Sequence, residues 1–160
     1  MTANTQLIEK FYTAFQRHDS AEMVACYHPD ITFTDPAFGE LKGQRAMDMW
    51  RMLVERGKDL LVTFNNVQAD DLSGSAHWEA TYTFSRSQRR VHNIIEAQFQ
   101  FQNGQIIRHT DTFDFWRWSR QALGLSGVLL GWSPILQNAV RQTAIKGLDA
   151  FVAKRGDQHA

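Results

Sequence analysis

Residues 90–112 read RVHNIIEAQFQFQNGQIIRHTDT. Two runs of alternating apolar and polar residues flank Asn103-Gly104. An Asn-Gly pair in that setting marks a two-residue hairpin turn, because both central positions need φ > 0. The spacing therefore predicts strands over Arg90–Gln102 and Gln105–Trp118. Moving upstream, two more alternating runs cover Leu60–Ala69 and Ser75–Ser85. Their punctuation is Asp70-Asp71-Leu72-Ser73-Gly74 and Arg86-Ser87-Gln88-Arg89. Four long strands joined in sequence by short turns predict an antiparallel, curved sheet.

Before Gly57 the period is helical. Leu7, Ile8, Phe11, Tyr12 and Phe15 form one apolar stripe, with Asn4 or Thr5 as the expected cap. A second short helix is expected from Ser20 to about Tyr27, then a turn at His28-Pro29-Asp30 and a short strand at Ile31–Thr34. That strand ends at Asp35-Pro36, and Gly39 and Gly43 bracket a loop. Residues 44–56 are expected to be helical, stopped by Gly57. Downstream, residues 119–125 read as helix, and Gly124, Gly127, Gly131 and Pro134 mark a bend. A last helix runs from Pro134 to about Lys154. The expected class is α+β, a cone-shaped curved antiparallel sheet with the N-terminal helices over its concave face. Residues 1–120 form the cone domain, and 121–160 form a C-terminal helical extension that packs on it or on a dimer partner.

At 160 residues and 18.4 kDa the chain is one domain in size. Its composition, 43% hydrophobic and 21% charged, excludes a disordered chain. Seventeen basic residues balance seventeen acidic ones, which argues against nucleic acid as a partner. The balance is uneven, with the first half acidic and the second half basic. Cys26 is the sole cysteine, so no intramolecular disulfide forms. No run of 18 apolar residues occurs, so no span and no membrane partner are expected. Met1–Phe15 lacks the features of a signal peptide, and a cytoplasmic location is the default expectation.

Several motifs resemble the nuclear transport factor 2-like superfamily. They are Phe11-Tyr12-x-x-Phe15, His18-Asp19, Tyr27-His28-Pro29-Asp30, Phe33-x-Asp35-Pro36, Gly43 and Asn103-Gly104-Gln105-Ile106-Ile107-x-x-x-Asp111. The nearest branches are the SnoaL-like polyketide cyclases, ketosteroid isomerases and limonene epoxide hydrolases. The resemblance covers about residues 5–120. It implies a cone-shaped α+β barrel that often dimerises through its outer sheet face. Function within such a superfamily has to be read from the site.

Asp35 stands where the resemblance places the isomerases' catalytic base. A carboxylate among aromatics has a raised pKa and can move a proton; an Asp before Pro can equally bond its own turn. The isomerases' oxyanion donors align with Phe11 and Ala97, whose side chains donate nothing. Tyr12 is one residue off, about 100° around the helix. Asp111 resembles a catalytic carboxylate of the epoxide hydrolases. On an extended strand His109, Asp111, Phe113 and Phe115 share a face. At His77-x-Glu79 the epoxide hydrolases carry Arg-x-Asp. Water activation by Glu79 and Asp111, with His77 steering protons, is the corresponding expectation. His109 and His77 also suit an acid–base set. Tyr12, Phe15, Phe33, Trp50, Phe99, Phe113 and Phe115 are expected as pocket wall or core. No metal and no cofactor are expected, since neither HExxH spacing nor a nucleotide-binding glycine fingerprint occurs.

If His77 and Glu79 face the pocket, Trp78, Tyr82 and Phe84 face outward. A homodimer through that outer face is then expected. Two functions follow: an enzyme doing acid–base chemistry on a small apolar or polycyclic molecule, as an isomerase, cyclase, dehydratase or epoxide hydrolase does, or a non-catalytic ligand-binding or assembly protein of the same fold.

Overall fold

The computed structural model describes residues 2–159. The chain enters through α1 (Ala3–Gln16) and α2 (Ser20–Ala25). Thr2, rather than Asn4 or Thr5, caps α1, its hydroxyl accepting the Thr5 N–H at 3.0 Å. Asp19 caps α2 through the Glu22 N–H. There follow β1 (Tyr27–Asp35), β2 (Gly39–Lys42) and α3 (Gln44–Arg56). The meander β3 (Leu61–Ala69), β4 (Ser73–Phe84), β5 (Arg89–Gln102) and β6 (Gln105–Thr112) comes next. The chain ends in α4 (Phe115–Leu123), α5 (Leu125–Leu130) and α6 (Pro134–His159).

The six strands form one open sheet in the order β2-β1-β6-β5-β4-β3. The β5–β6 turn is built as expected, with Asn103 at φ 53° and Gly104 at φ 75°. The sheet is nonetheless mixed rather than antiparallel throughout, because β1 lies parallel to β6. No tight turn joins those two strands, so nothing forces them to oppose. Strand β1 is longer than expected. The supposed turn His28-Pro29-Asp30 lies inside it, at a register shift between Tyr27 and Thr32, where a proline without an N–H is tolerated. The segment after Gly39 is a short edge strand, not a loop, with Leu41 as its single buried residue.

Strand β6 ends at Thr112, well before Trp118. Asp114 accepts the Arg117 N–H at 3.0 Å and starts α4 there. Phe115 thus leaves the face of His109 and Asp111. It packs with Trp118 in a small second core built on Val91, Trp118 and Ala122.

Strand β4 carries the main reversal. Ala76, Trp78 and Ala80 are buried on the concave face. Tyr82 and Phe84 point the same way and pack against the second core. The β4–β5 register pairs His77 with Glu96 and Thr81 with His92. Residues directly opposite in an antiparallel pair share a face, so His77 and Glu79 lie outside with His92 and Glu96. The aromatic outer patch that motivated a homodimer is therefore absent. That face is polar.

Helix α6 returns over the domain. Leu148 and Phe151 enter the main core, and Arg45 of α3 pairs with Asp149 at 2.9 Å. Among the described residues no helix is long and apolar enough to cross a membrane.

Candidate functional site

Residues from α1, α3 and four strands meet beneath the helices. The apolar stripe of α1 delivers Phe11, Tyr12 and Phe15, and α3 delivers Trp50. Phe33, Phe99 and the alternate residues of β6 come from below. At the centre is His109, completely buried, with Phe99, Phe33 and Trp50 rings at 4.5, 5.1 and 5.8 Å. Burying an imidazole among rings is costly unless both nitrogens are bonded. Both are. The Tyr27 hydroxyl lies 2.7 Å from Nδ1, and Asp111 Oδ1 lies 2.9 Å from Nε2. The Trp50 indole N–H donates to the Tyr27 oxygen at 2.8 Å. The Trp78 N–H donates to Asp111 Oδ1 at 3.2 Å. Donors and acceptors alternate without a gap along Trp50, Tyr27, His109 and Asp111 when His109 carries its proton on Nε2.

Tyr12 completes this floor. Its hydroxyl is buried and has no hydrogen-bond partner. Burial first, then Asp111, then Tyr27, raise its pKa well above the usual 10. Tyr12, one residue from the position where the resemblance places the isomerases' donor, still turns inward. The buried face of α1 is wide enough to send both Phe11 and Tyr12 inward, their rings 5.2 Å apart.

Asp35 lies at the rim of this floor. The β1–β6 pairing runs Phe33 with His109 and Thr34 with Thr110, so one residue further Asp35 comes level with Asp111. Asp35 Oδ1 accepts the Ala37 and Phe38 N–H groups at 2.9 and 2.6 Å. The turn role and the site position therefore coexist in one residue. Desolvation raises the Asp35 pKa from 3.8 to about 7. The two backbone N–H groups and Arg141 oppose the rise, and Asp111 adds to it. Arg141 descends from α6 and donates to the Pro36 carbonyl at 3.4 Å, while its Nε–H is buried without a partner. Tyr82 is close enough to feel the Asp35 charge. Burial moves its phenol to about 12, partly offset by the Trp118 N–H donated at 2.8 Å.

Of the expected site residues, Asp35, Asp111 and His109 converge with Tyr12, Phe15, Phe33, Trp50 and Phe99. Phe113 is partly buried and touches both cores. His77 and Glu79 do not converge with Asp111, so the water-activating set expected there does not assemble. They form an outer chain instead. His77 bonds Glu96 and Glu79, and Glu79 bonds His92. These bonds raise the pKa of His77, Glu79 first, and lower that of Glu79. Sequence reasoning missed Tyr27, Trp78, Tyr82 and Arg141. The Ala76-x-Trp78-x-Ala80-x-Tyr82 alternation was the available signal for two of them.

The protein-family comparison matches a SnoaL-like domain over residues 8–109. No curated protein matches. Solved structures resemble the fold at low identity. TsrD from Streptomyces laurentii is 21% identical with a TM-score of 0.64, covering 77% of this chain and 96% of its own. A putative polyketide cyclase from Xanthomonas campestris pv. campestris is 19% identical (TM-score 0.62, 74% and 96% covered). An LEH-like epoxide hydrolase from M. tuberculosis is also 19% identical (TM-score 0.61, 79% and 95% covered). The family match spans well over half of the chain, and the chain belongs to the SnoaL-like domain family, within the nuclear transport factor 2-like fold.

Proposed function

We propose that this chain is an enzyme doing acid–base chemistry, without a cofactor, on a small and largely apolar molecule that carries an oxygen function. The observation that carries this reading is the pairing of Asp35 and Asp111. They stand level on adjacent strands in unlike surroundings. Asp111 receives two N–H bonds in the floor, whereas Asp35 is poised near neutrality at the rim. Two carboxyls held apart in this way suit separate proton-transfer roles. Asp35 takes a proton from the substrate and returns it, at a pKa where both directions are accessible at pH 7. The buried, unpartnered Tyr12 O–H and Arg141 Nε–H supply donors for a substrate oxygen. The apolar surroundings set the substrate's character. His109 and Tyr27 position Asp111.

A thermal-shift screen of steroid-like, terpenoid and polyketide compounds tests the reading, because a ligand of the native state raises its melting temperature. Compounds that bind are then followed for turnover or for solvent deuterium entering carbon. Asp35→Asn is expected to keep binding and lose exchange. Equal exchange by the variant removes Asp35 from the chemistry. A second reading, a non-catalytic binder, is favoured by the packed interior, which leaves Asp111 only 3% exposed. Binding without turnover or exchange by the native protein selects it.

A further inference from the structure

Between Asp114 and Asp149 the chain carries no acidic side chain, and between Arg120 and Arg141 no charge at all. That stretch contains α5 and the entry to α6, and its apolar side chains stand in water. Leu125 is 73% exposed, Leu129 59%, Trp132 72% and Ile135 82%, with Leu130 about half exposed. A water-facing cluster of this size on one short segment calls for a partner. Two features indicate which kind.

The first is the charge around it. The β4–β5 turn, which carries Arg86 and Arg89, is fastened to this end of α4. Ser87 donates to the Ala122 carbonyl at 2.5 Å and Arg89 to the Gln121 carbonyl at 2.7 Å. Arg120 lies 4.2 Å over the Trp116 ring, and Trp116 is itself exposed. The neighbours are cationic, with Arg117 on the same helix. A second copy docking patch to patch would press arginine against arginine, which opposes self-association. An anionic surface complements it.

The second is the backbone. Side-chain donors cover carbonyls that a short Gly-rich helix would otherwise leave open. Trp116 donates to Val128, Trp132 to Leu129 and Ser126 to Leu123, and the Ser133 N–H donates to Leu130. Covered carbonyls are what a segment needs to sit among acyl chains, where no water replaces a missing bond.

We propose that α5 and the start of α6 dock on the surface of an anionic phospholipid bilayer. Leu125, Leu129, Trp132 and Ile135 enter the headgroup boundary, and the arginines contact lipid phosphates. This is adsorption on one leaflet, not a span. It stands independently of the acid–base reading.

The test is co-sedimentation of the whole chain with vesicles of phosphatidylcholine alone and of phosphatidylcholine with phosphatidylglycerol. Binding is expected to the anionic vesicles, at least tenfold weaker to neutral ones, and reduced by salt. Leu129→Ser with Trp132→Ser is expected to lower binding at least tenfold at unchanged melting temperature. Leu125→Ser serves as a second variant if that pair unfolds. No binding to anionic vesicles, or binding that survives these substitutions in folded protein, overturns the proposal. So does a dimer in sedimentation equilibrium that the same substitutions dissociate, since the patch then belongs to a second copy.

Discussion

Asp35→Asn separates the chemistry of Asp35 from its structural role. Asn keeps the side-chain oxygen that receives the Ala37 and Phe38 N–H groups, so the turn is retained. What disappears is the ionisation. A carboxyl with a pKa of 3.8 unfolded and about 7 folded binds more protons in the native state between those values. Stability from this group is then full below pH 3.8, falls as pH rises, and levels off above about 7. Between pH 5 and pH 8 the native protein should lose about 2.5 kcal/mol through Asp35, and the Asn variant should not. The stability difference between variant and parent therefore grows in the variant's favour by about that amount. Other titrating groups cancel in the comparison. Urea unfolding at pH 5 and pH 8 measures it, and a melting-temperature difference growing by roughly 5–10 °C is the thermal equivalent. A difference that stays constant across this range, or grows in the opposite direction, refutes the claim that desolvation holds Asp35 near neutrality.

Other substitutions probe the surrounding structure. Trp50→Phe removes the N–H donated to Tyr27 inside the core and should cost about 1–3 kcal/mol in chemical denaturation. Combined with Tyr27→Phe it should cost less than the sum, because the partners couple; additivity would mean that the bond contributes nothing. Gly127→Ala would bring a methyl within 1.9 Å of the Ser119 carbonyl oxygen, so α4 and α5 must separate, with a loss of about 1–3 kcal/mol in thermal or urea unfolding. His77→Gln tests the outer chain. Because the His77 pKa is raised by Glu79 and Glu96, its stabilisation is present below about pH 6.5 and lost as pH climbs past its folded value. The substitution should lower the melting temperature at pH 6 and have little effect at pH 9, with substrate turnover unaltered at either.

The hairpin meander was legible because Asn103-Gly104 and the alternation around it are local signals that nothing distant overrides. The α1 stripe and the Gly57 stop were legible for the same reason. What stayed hidden depended on relations between strands. The direction of β1 against β6 is set by packing across the whole domain, and no local residue pair encodes it. The face of β4 was read from the resemblance of His77-x-Glu79 to a catalytic pair rather than from its own pattern. The pairing of His77 with Glu96 and of Thr81 with His92 puts His77 and Glu79 on the outer face with them. A one-residue difference in parity moved two proposed catalytic residues outside and five aromatic or small residues inside. Asp35, Asp111 and His109 come together because β1 and β6 turn the shared face of Phe33, His109 and Asp111 inward.

The C-terminal extension reaches the turn that holds Asp35. Residues 8–109 supply Asp35, the floor from Tyr12 to His109, and the strand that leads to Asp111. Helix α6 sets Arg141 over the turn that holds Asp35, where it donates to the Pro36 carbonyl at 3.4 Å. An arginine so placed favours the carboxylate, whereas the exclusion of water disfavours it. For Asp35 burial is the largest influence and Arg141 the smallest of the opposing ones. On the proposed reading of Asp35, the strands and α6 therefore act on the same carboxyl. The strands fix where the carboxyl stands, and Arg141 of α6 opposes the rise that burial gives its pKa.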